Sequence, residues 1–136
     1  MTNRWLLKTE PDEYSFDDLL RDKGTVWDGV TNPLALKHLR AIRKGDDLLI
    51  YHTGKVRAAV GLAKAASDPY PDPSRQDPKI VVIDAVPAHR LKEPVTLEAI
   101  KAAPAFRSFE LVRLPRLSVM PVPAALWEKI LRMSER

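Results

Sequence analysis

The chain contains no cysteine, and among its 136 residues it has only three histidines and five glycines. Without cysteine it can form no disulfide, no thiolate zinc site and no cysteine nucleophile. The histidines (His38, His52 and His89) are not at the spacing of a zinc site, and the glycines occur singly rather than in a phosphate-binding loop. The sequence therefore predicts no metal and no other cofactor, and it does not indicate nucleoside triphosphate hydrolysis.

Long apolar runs are also missing. No stretch approaches the roughly 20 residues that a membrane-spanning helix needs, and the N-terminus does not resemble a signal peptide. We therefore expect a cytoplasmic protein without a membrane partner. The composition, 45% hydrophobic and 29% charged, is that of a folded protein, and the length predicts one domain over residues 1–136.

The charge is unevenly distributed along the chain. The formal net charge is +4, with an acidic segment over residues 12–22 and a basic segment over residues 37–57. Between them lies Trp27, set among turn-forming residues just before a predicted helix. An aromatic face beside positive charge suits a nucleotide, because the ring can stack on the base while cations attract the phosphates. A buried core position for Trp27 is the competing interpretation.

The hydrophobic pattern predicts an α+β fold of about five to six short, mostly antiparallel strands with flanking short helices. Ser15, Asn32 and Thr96 are predicted helix N-caps, and Trp127 is expected in the core. The predicted strands lie at residues 5–8, 47–53, 56–65, 80–91 and 117–120, with the strands at 47–53 and 56–65 forming a hairpin at the centre of the sheet. Prolines make residues 69–78 a predicted surface loop.

Polar and aromatic residues gather where the predicted strands end. This set comprises Lys8, Thr9, Glu10, Trp27, Asn32, Tyr51 and His52. Each also has a structural explanation: Asn32 as a helix cap, Tyr51 as a core aromatic, and Lys8 with Glu10 as a surface ion pair worth under ~1 kcal/mol. Their joint occurrence favours a binding site.

Several blocks, in order along the chain, resemble the EVE domain family. They are the run from Trp5 to Ser15 (WLLKTEPDEYS), the run from Val26 to Asn32 (VWDGVTN), Gly45-Asp46 with Tyr51-His52, Tyr70 to Pro73, Arg90-Leu91 with Pro94-Val95, and Leu117 to Val122 followed by Trp127. The resemblance covers nearly the whole chain. It implies a PUA-like fold, a small closed β-barrel related to the YTH and ASCH domains.

The same resemblance implies a non-catalytic module that binds DNA or RNA carrying a modified base in an aromatic-lined pocket. Lys8, Thr9 and Glu10 would line one side, Trp27 would stack, and Asn32 would hydrogen-bond a base edge. Tyr51 and His52 would close the other side. No aromatic residue occurs between Val81 and Leu91 to complete a three-walled cage, so we expect a looser pocket of Trp27, Tyr51 and Trp5.

Two alternatives remain open at this point. ASCH-like relatives include enzymes that cleave amides in modified nucleosides, and a small hydrolase of that kind would use Lys8 and Glu10 for acid and base chemistry. A protein-interaction module is the other alternative. The sequence does not determine the base, its modification or the oligomeric state.

Overall fold

A computed structural model describes residues 3–135, which form seven strands, five α-helices and one turn of 3-10 helix. The strands are β1 Arg4–Thr9, β2 Thr25–Trp27, β3 Asp47–His52, β4 Ala58–Ala65, β5 Tyr70–Pro71, β6 Val81–Thr96 and β7 Val119–Pro121. The helices are α1 Phe16–Asp22, α2 Pro33–Ala41, α3 Leu97–Ala102, α4 Glu110–Arg113 and α5 Ala124–Ser134, with the 3-10 turn at Pro104–Phe106. The predicted α+β class is confirmed.

The three predicted helix caps are confirmed. Ser15 and Asp18 form a capping box at the start of α1, in which each side chain accepts a hydrogen bond from the other residue's backbone N–H. The Asn32 side chain accepts from two backbone amides of α2, and Thr96 accepts from the Ala99 amide. Each cap satisfies backbone donors that have no partner inside the helix.

The sheet has the order β2-β6-β4-β3-β1-β7, with the short β5 paired to β6 outside this path. The predicted β3–β4 hairpin lies at its centre, as expected. Every pairing is antiparallel except that of β1 with β3, which is parallel and aligns Lys8 with Tyr51 and Thr9 with His52. The carboxyl ends of β1 and β3 therefore meet at one edge of the sheet.

The expectation of a closed barrel is wrong, because the sheet curls but stays open. Its two edge strands, β2 and β7, do not pair with each other within residues 3–135. Each has only three residues, and α2 packs against both β7 and β6 across the intervening space. Strands of three residues offer few backbone groups for the hydrogen-bond ladder that closure requires.

The sequence pattern also missed several short elements. β2 lies in a stretch that we predicted as a turn, and β5 lies in the predicted proline-rich loop. α4 was not predicted, and β6 runs five residues beyond the predicted strand end at Leu91. Two- to four-residue elements take their geometry from their neighbours, so hydrophobic periodicity does not reveal them.

The hydrophobic core forms one cluster that includes Trp127, as predicted. One contact in it depends on the absence of a side chain. The ring of Phe16, at the start of α1, lies directly against Gly61 of β4, where an added Cβ would be closer than 3.0 Å to three ring atoms. Within residues 3–135, no helix has the length and apolar character needed to cross a membrane.

We expect Gly61→Ala to lower the free energy of unfolding by about 1–3 kcal/mol, because the new methyl group overpacks against a fully buried ring. Urea denaturation measures this loss. In the double variant Gly61→Ala with Phe16→Leu, the smaller side chain makes room for the methyl group, so the combined loss should be less than the sum of the single losses. Strictly additive losses would contradict this contact.

Candidate functional site

A cavity of about 520 Å³ lies where the curled sheet is open. Its walls come from the end of β1, from the loop before α1, from β2 with the residues that follow it, and from the residue preceding β7. The lining residues are Lys8, Thr9, Glu10, Glu13, Tyr14, residues 25–30 and Ser118. The cavity therefore occupies the gap that the absent β2–β7 pairing leaves.

The loop after β1 is held against the cavity by local hydrogen bonds. The Thr9 hydroxyl donates to the Tyr14 carbonyl at 2.7 Å, and the amides of Glu13 and Tyr14 both donate to the Glu10 carbonyl at 2.9 Å. The Tyr14 hydroxyl donates to Asp22 at 3.0 Å. Burial raises the pKa of Tyr14 above its usual value, so this phenol stays protonated at neutral pH.

Trp27 serves both the core and the cavity. β2 places it opposite Ile83 of β6, and only 7% of the residue is exposed. Part of its surface nevertheless lines the cavity. The residue is thus held by packing in the core and also borders an open space.

Lys8 and Glu10 do not pair with each other. The Lys8 ammonium donates to the Pro115 carbonyl at 2.8 Å and lies 5.7 Å from the centre of the Tyr51 ring. Burial lowers the pKa of Lys8. A Glu10 carboxylate oxygen accepts from the Asp12 amide at 2.5 Å. The predicted surface ion pair is therefore absent, and Lys8 instead ties the loop before β7 to the end of β1.

Three of the seven predicted site residues do not line this cavity. Tyr51 is 3% exposed and lies in the core below Lys8. The His52 Nε2 accepts from the Phe16 amide at 3.0 Å, so this ring supports the start of α1. The Asn32 side-chain oxygen is occupied by its two capping bonds, and the residue borders a separate groove of about 330 Å³. Lys8, Thr9, Glu10 and Trp27 are brought together as predicted.

Tyr14 also lines the cavity, although the strand-end pattern did not single it out. Trp5, which we expected near the pocket, lies at the opposite end of β1, where its Nε1 donates to Asp46 at 2.9 Å. Tyr14 does belong to the run from Trp5 to Ser15 that resembles the family, but no local pattern distinguishes it from a surface tyrosine. Ser118 is distant in sequence, and only the β1–β7 pairing brings it to the cavity.

The cavity does not have the positive charge that the sequence predicted beside Trp27. Its lining contains three carboxylates, Glu10, Glu13 and Asp28, but only one ammonium, that of Lys8. No cation of the basic segment 37–57 is among the lining residues. Carboxylate oxygens accept hydrogen bonds from amino groups and repel phosphates. The cavity thus suits a flat neutral group that carries an amine, rather than an anion.

The fold and the cavity together define an α+β protein with a cavity of about 520 Å³ at the open side of a curled sheet. The sequence profile of the EVE domain family matches residues 3–133. The chain therefore belongs to the EVE domain family.

Relatives of known structure share the whole fold. A protein from Rhodopseudomonas palustris, solved by NMR, is 37% identical with a TM-score of 0.93, over 98% of this chain and 94% of that one. Human thymocyte nuclear protein 1, crystallised in complex with DNA containing 5-methylcytosine, is 26% identical with a TM-score of 0.91, over 99% of both chains.

Thymocyte nuclear protein 1 from Mus musculus is 30% identical to this chain, over 99% of it and 75% of the mouse protein. An ASCH protein from Zymomonas mobilis, 10% identical with a TM-score of 0.62, shares the fold alone. The predicted relation to ASCH domains is thus confirmed at the level of the fold.

We expect the free energy of unfolding to decrease as the pH falls below about 6.5. Burial lowers the pKa of both His52 and His38 below the usual 6.5, so the unfolded chain takes up protons that the native chain resists. The stabilisation is complete above pH 6.5 and is lost as the pH falls from there toward the lowered pKa values.

Urea denaturation at several pH values measures this dependence. His52→Gln keeps an acceptor for the Phe16 amide but does not titrate, so it should weaken the dependence on pH. The matched control is His89→Gln, at an exposed histidine. An unchanged pH dependence in the His52 variant would contradict the role of this ring.

Proposed function

We propose that this chain is a non-catalytic reader that binds DNA carrying a modified base, 5-methylcytosine in the first instance, by receiving the base in the cavity beside Trp27. The observation that carries the proposal is the cavity itself, whose lining residues include Trp27, Tyr14 and three carboxylates. The human relative crystallised with 5-methylcytosine DNA supports this choice of ligand.

We assign the lining residues to the different parts of such a base. A base that flips out of the duplex loses its stacking on the neighbouring bases and regains about 1–3 kcal/mol of stacking free energy on an aromatic side chain. We assign this stacking role to Trp27 with Tyr14. The 4-amino group of cytosine is a hydrogen-bond donor, and Glu10, Glu13 or Asp28 would accept from it. The 5-methyl group adds about 0.8 kcal/mol when it is buried in a dry contact.

The contacts of Lys8 and Glu10 favour binding over the alternative of hydrolysis. A general acid or base must reach the proton that it transfers. The Lys8 ammonium is bound to the Pro115 carbonyl and a Glu10 oxygen to the Asp12 amide, so both groups have structural partners. We assign them to the wall of the pocket.

We expect Trp27→Phe to lower the affinity for a methylated duplex on the order of fivefold and to reduce the preference over the unmethylated duplex, because the smaller ring stacks less well. Fluorescence anisotropy with the two duplexes measures both effects. Phenylalanine is preferred to alanine here because removing a buried indole costs about 3–5 kcal/mol of stability.

Trp127→Phe is the matched control. It makes the same change at a tryptophan that is 6% exposed in the core and does not line the cavity. It should lower the melting temperature and leave the preference for the methylated duplex unchanged. If Trp27→Phe keeps the full preference, the base does not bind beside Trp27.

Replacing the base tests the carboxylates without changing the protein. Thymine carries the same 5-methyl group as 5-methylcytosine but has a carbonyl oxygen where cytosine has its amine. We expect a duplex with thymine opposite guanine to bind at least tenfold more weakly than one with 5-methylcytosine, because that oxygen would face carboxylates. A mismatched base leaves the stack more easily, which by itself favours thymine, so weaker binding of thymine would be due to the pocket. The measurement is repeated in single-stranded DNA, where both bases are unpaired, and equal or tighter binding of thymine there would contradict amine recognition.

A further inference from the structure

A second groove of about 520 Å³ lies between the turn of the β3–β4 hairpin and the start of α3. Three cations line it: Lys55 and Arg57 from the turn and Lys101 from α3. Glu98 is the one carboxylate among its lining residues. All four of these residues are exposed.

The groove is formed by fixed backbone. The Leu97 amide donates to the Arg57 carbonyl at 2.8 Å, which joins the start of α3 to the turn. Arg57 adopts the left-handed conformation with φ of 46°, which is unusual for a residue other than glycine. Such a conformation costs on the order of 1–3 kcal/mol and persists only where the surrounding structure imposes it, often at ligand sites.

The three cations have no carboxylate partner. Within residues 3–135, no salt bridge involves Lys55, Arg57 or Lys101. Lysine and arginine on a protein surface commonly lie close to acidic groups, whereas here three positive charges face one carboxylate across a groove. This concentration of positive charge favours a polyanion.

The groove adjoins the cavity that we assign to the base. Glu10 lines the cavity, and its carboxylate lies against Gly54, where an added Cβ would be only 2.8 Å from Oε1. Gly54 directly precedes Lys55 in the hairpin turn. The Thr53 amide also donates to the Thr9 carbonyl at 2.9 Å, which fixes this turn to the end of β1.

We propose that Lys55, Arg57 and Lys101 bind the phosphate backbone of the strand whose base enters the cavity. The proposal rests on the proposed function and adds to it a separate site for the backbone. A nucleotide joins its base and its phosphate within a few bond lengths, and the carboxylates of the cavity repel phosphate. The adjoining cationic groove supplies the attraction that the cavity lacks.

This arrangement separates affinity from selectivity. Phosphate contacts release counterions, so they set how steeply affinity falls with salt and act equally on modified and unmodified DNA. The cavity contacts only the base and sets the ratio between the two affinities.

The experiment uses the triple variant Lys55→Gln, Arg57→Gln and Lys101→Gln. Its matched control is Lys44→Gln, Arg75→Gln and Lys79→Gln, which also removes two lysines and one arginine. Lys44 precedes β3 and Lys79 precedes β6, whereas Lys55 follows β3 and Lys101 follows β6, so the control charges lie at the opposite ends of these strands.

Anisotropy titrations with methylated and unmethylated duplexes at several sodium chloride concentrations give the slope of log affinity against log salt. We expect the groove variant to reduce the magnitude of this slope by about two to three. The affinities for the methylated and the unmethylated duplex should fall by the same factor. The control variant should keep the wild-type slope.

An unchanged slope in the groove variant, or an equal reduction in the control, would overturn the phosphate site. A wild-type protein that binds DNA without preference for the methylated duplex would instead overturn the proposed function, while a reduced slope in the groove variant would still support the phosphate site. Wild-type protein that binds neither duplex at low salt would overturn both.

Discussion

The parallel pairing of β1 with β3 is the constraint on which the rest of the structure depends. It brings the carboxyl ends of two strands, distant in sequence, to one edge of the sheet, so that Thr9 and Glu10 lie beside His52 and Thr53. At the other end of the pair the buried carboxylate of Asp46 accepts hydrogen bonds from the Trp5 indole and from the backbone amides of Asn3 and Arg43. The cavity and the cationic groove both begin at the edge that this pairing creates.

The candidate site exists because β2 and β7 do not pair within residues 3–135. Closing the barrel would pair β2 with β7 and remove the space between Trp27 and Ser118. Because these two strands do not pair in the part of the chain that the structure describes, the residues of β2 line the cavity. The charges divide along the same geometry, with carboxylates in the cavity and, beside the hairpin turn and α3, three cations that form no salt bridge within residues 3–135. We interpret this division as base recognition beside backbone attraction, two tasks that need opposite charges.

Local chemistry explains which features could be predicted from the sequence. The caps at Ser15, Asn32 and Thr96 act on amides two or three residues away, so their patterns are visible in the chain. The β3–β4 hairpin and the buried Trp127 follow from hydrophobic periodicity. Tyr51 shows the limit of this reasoning. Its position at a strand end predicted a site residue, but in the folded sheet Tyr51 lies in the core.

The sequence by itself determined the α+β class, the helix starts, the central hairpin and, through its ordered blocks, membership of the EVE domain family. It also predicted that Lys8, Thr9, Glu10 and Trp27 lie together, and all four line one cavity. Tertiary structure alone decided that the sheet stays open, that Tyr14 and Ser118 complete the cavity, and that the cavity is acidic. The physical reason is the sequence separation of the interacting residues. Caps and periodicity depend on residues a few positions apart, whereas the cavity is formed by segments that meet only when distant strands pair.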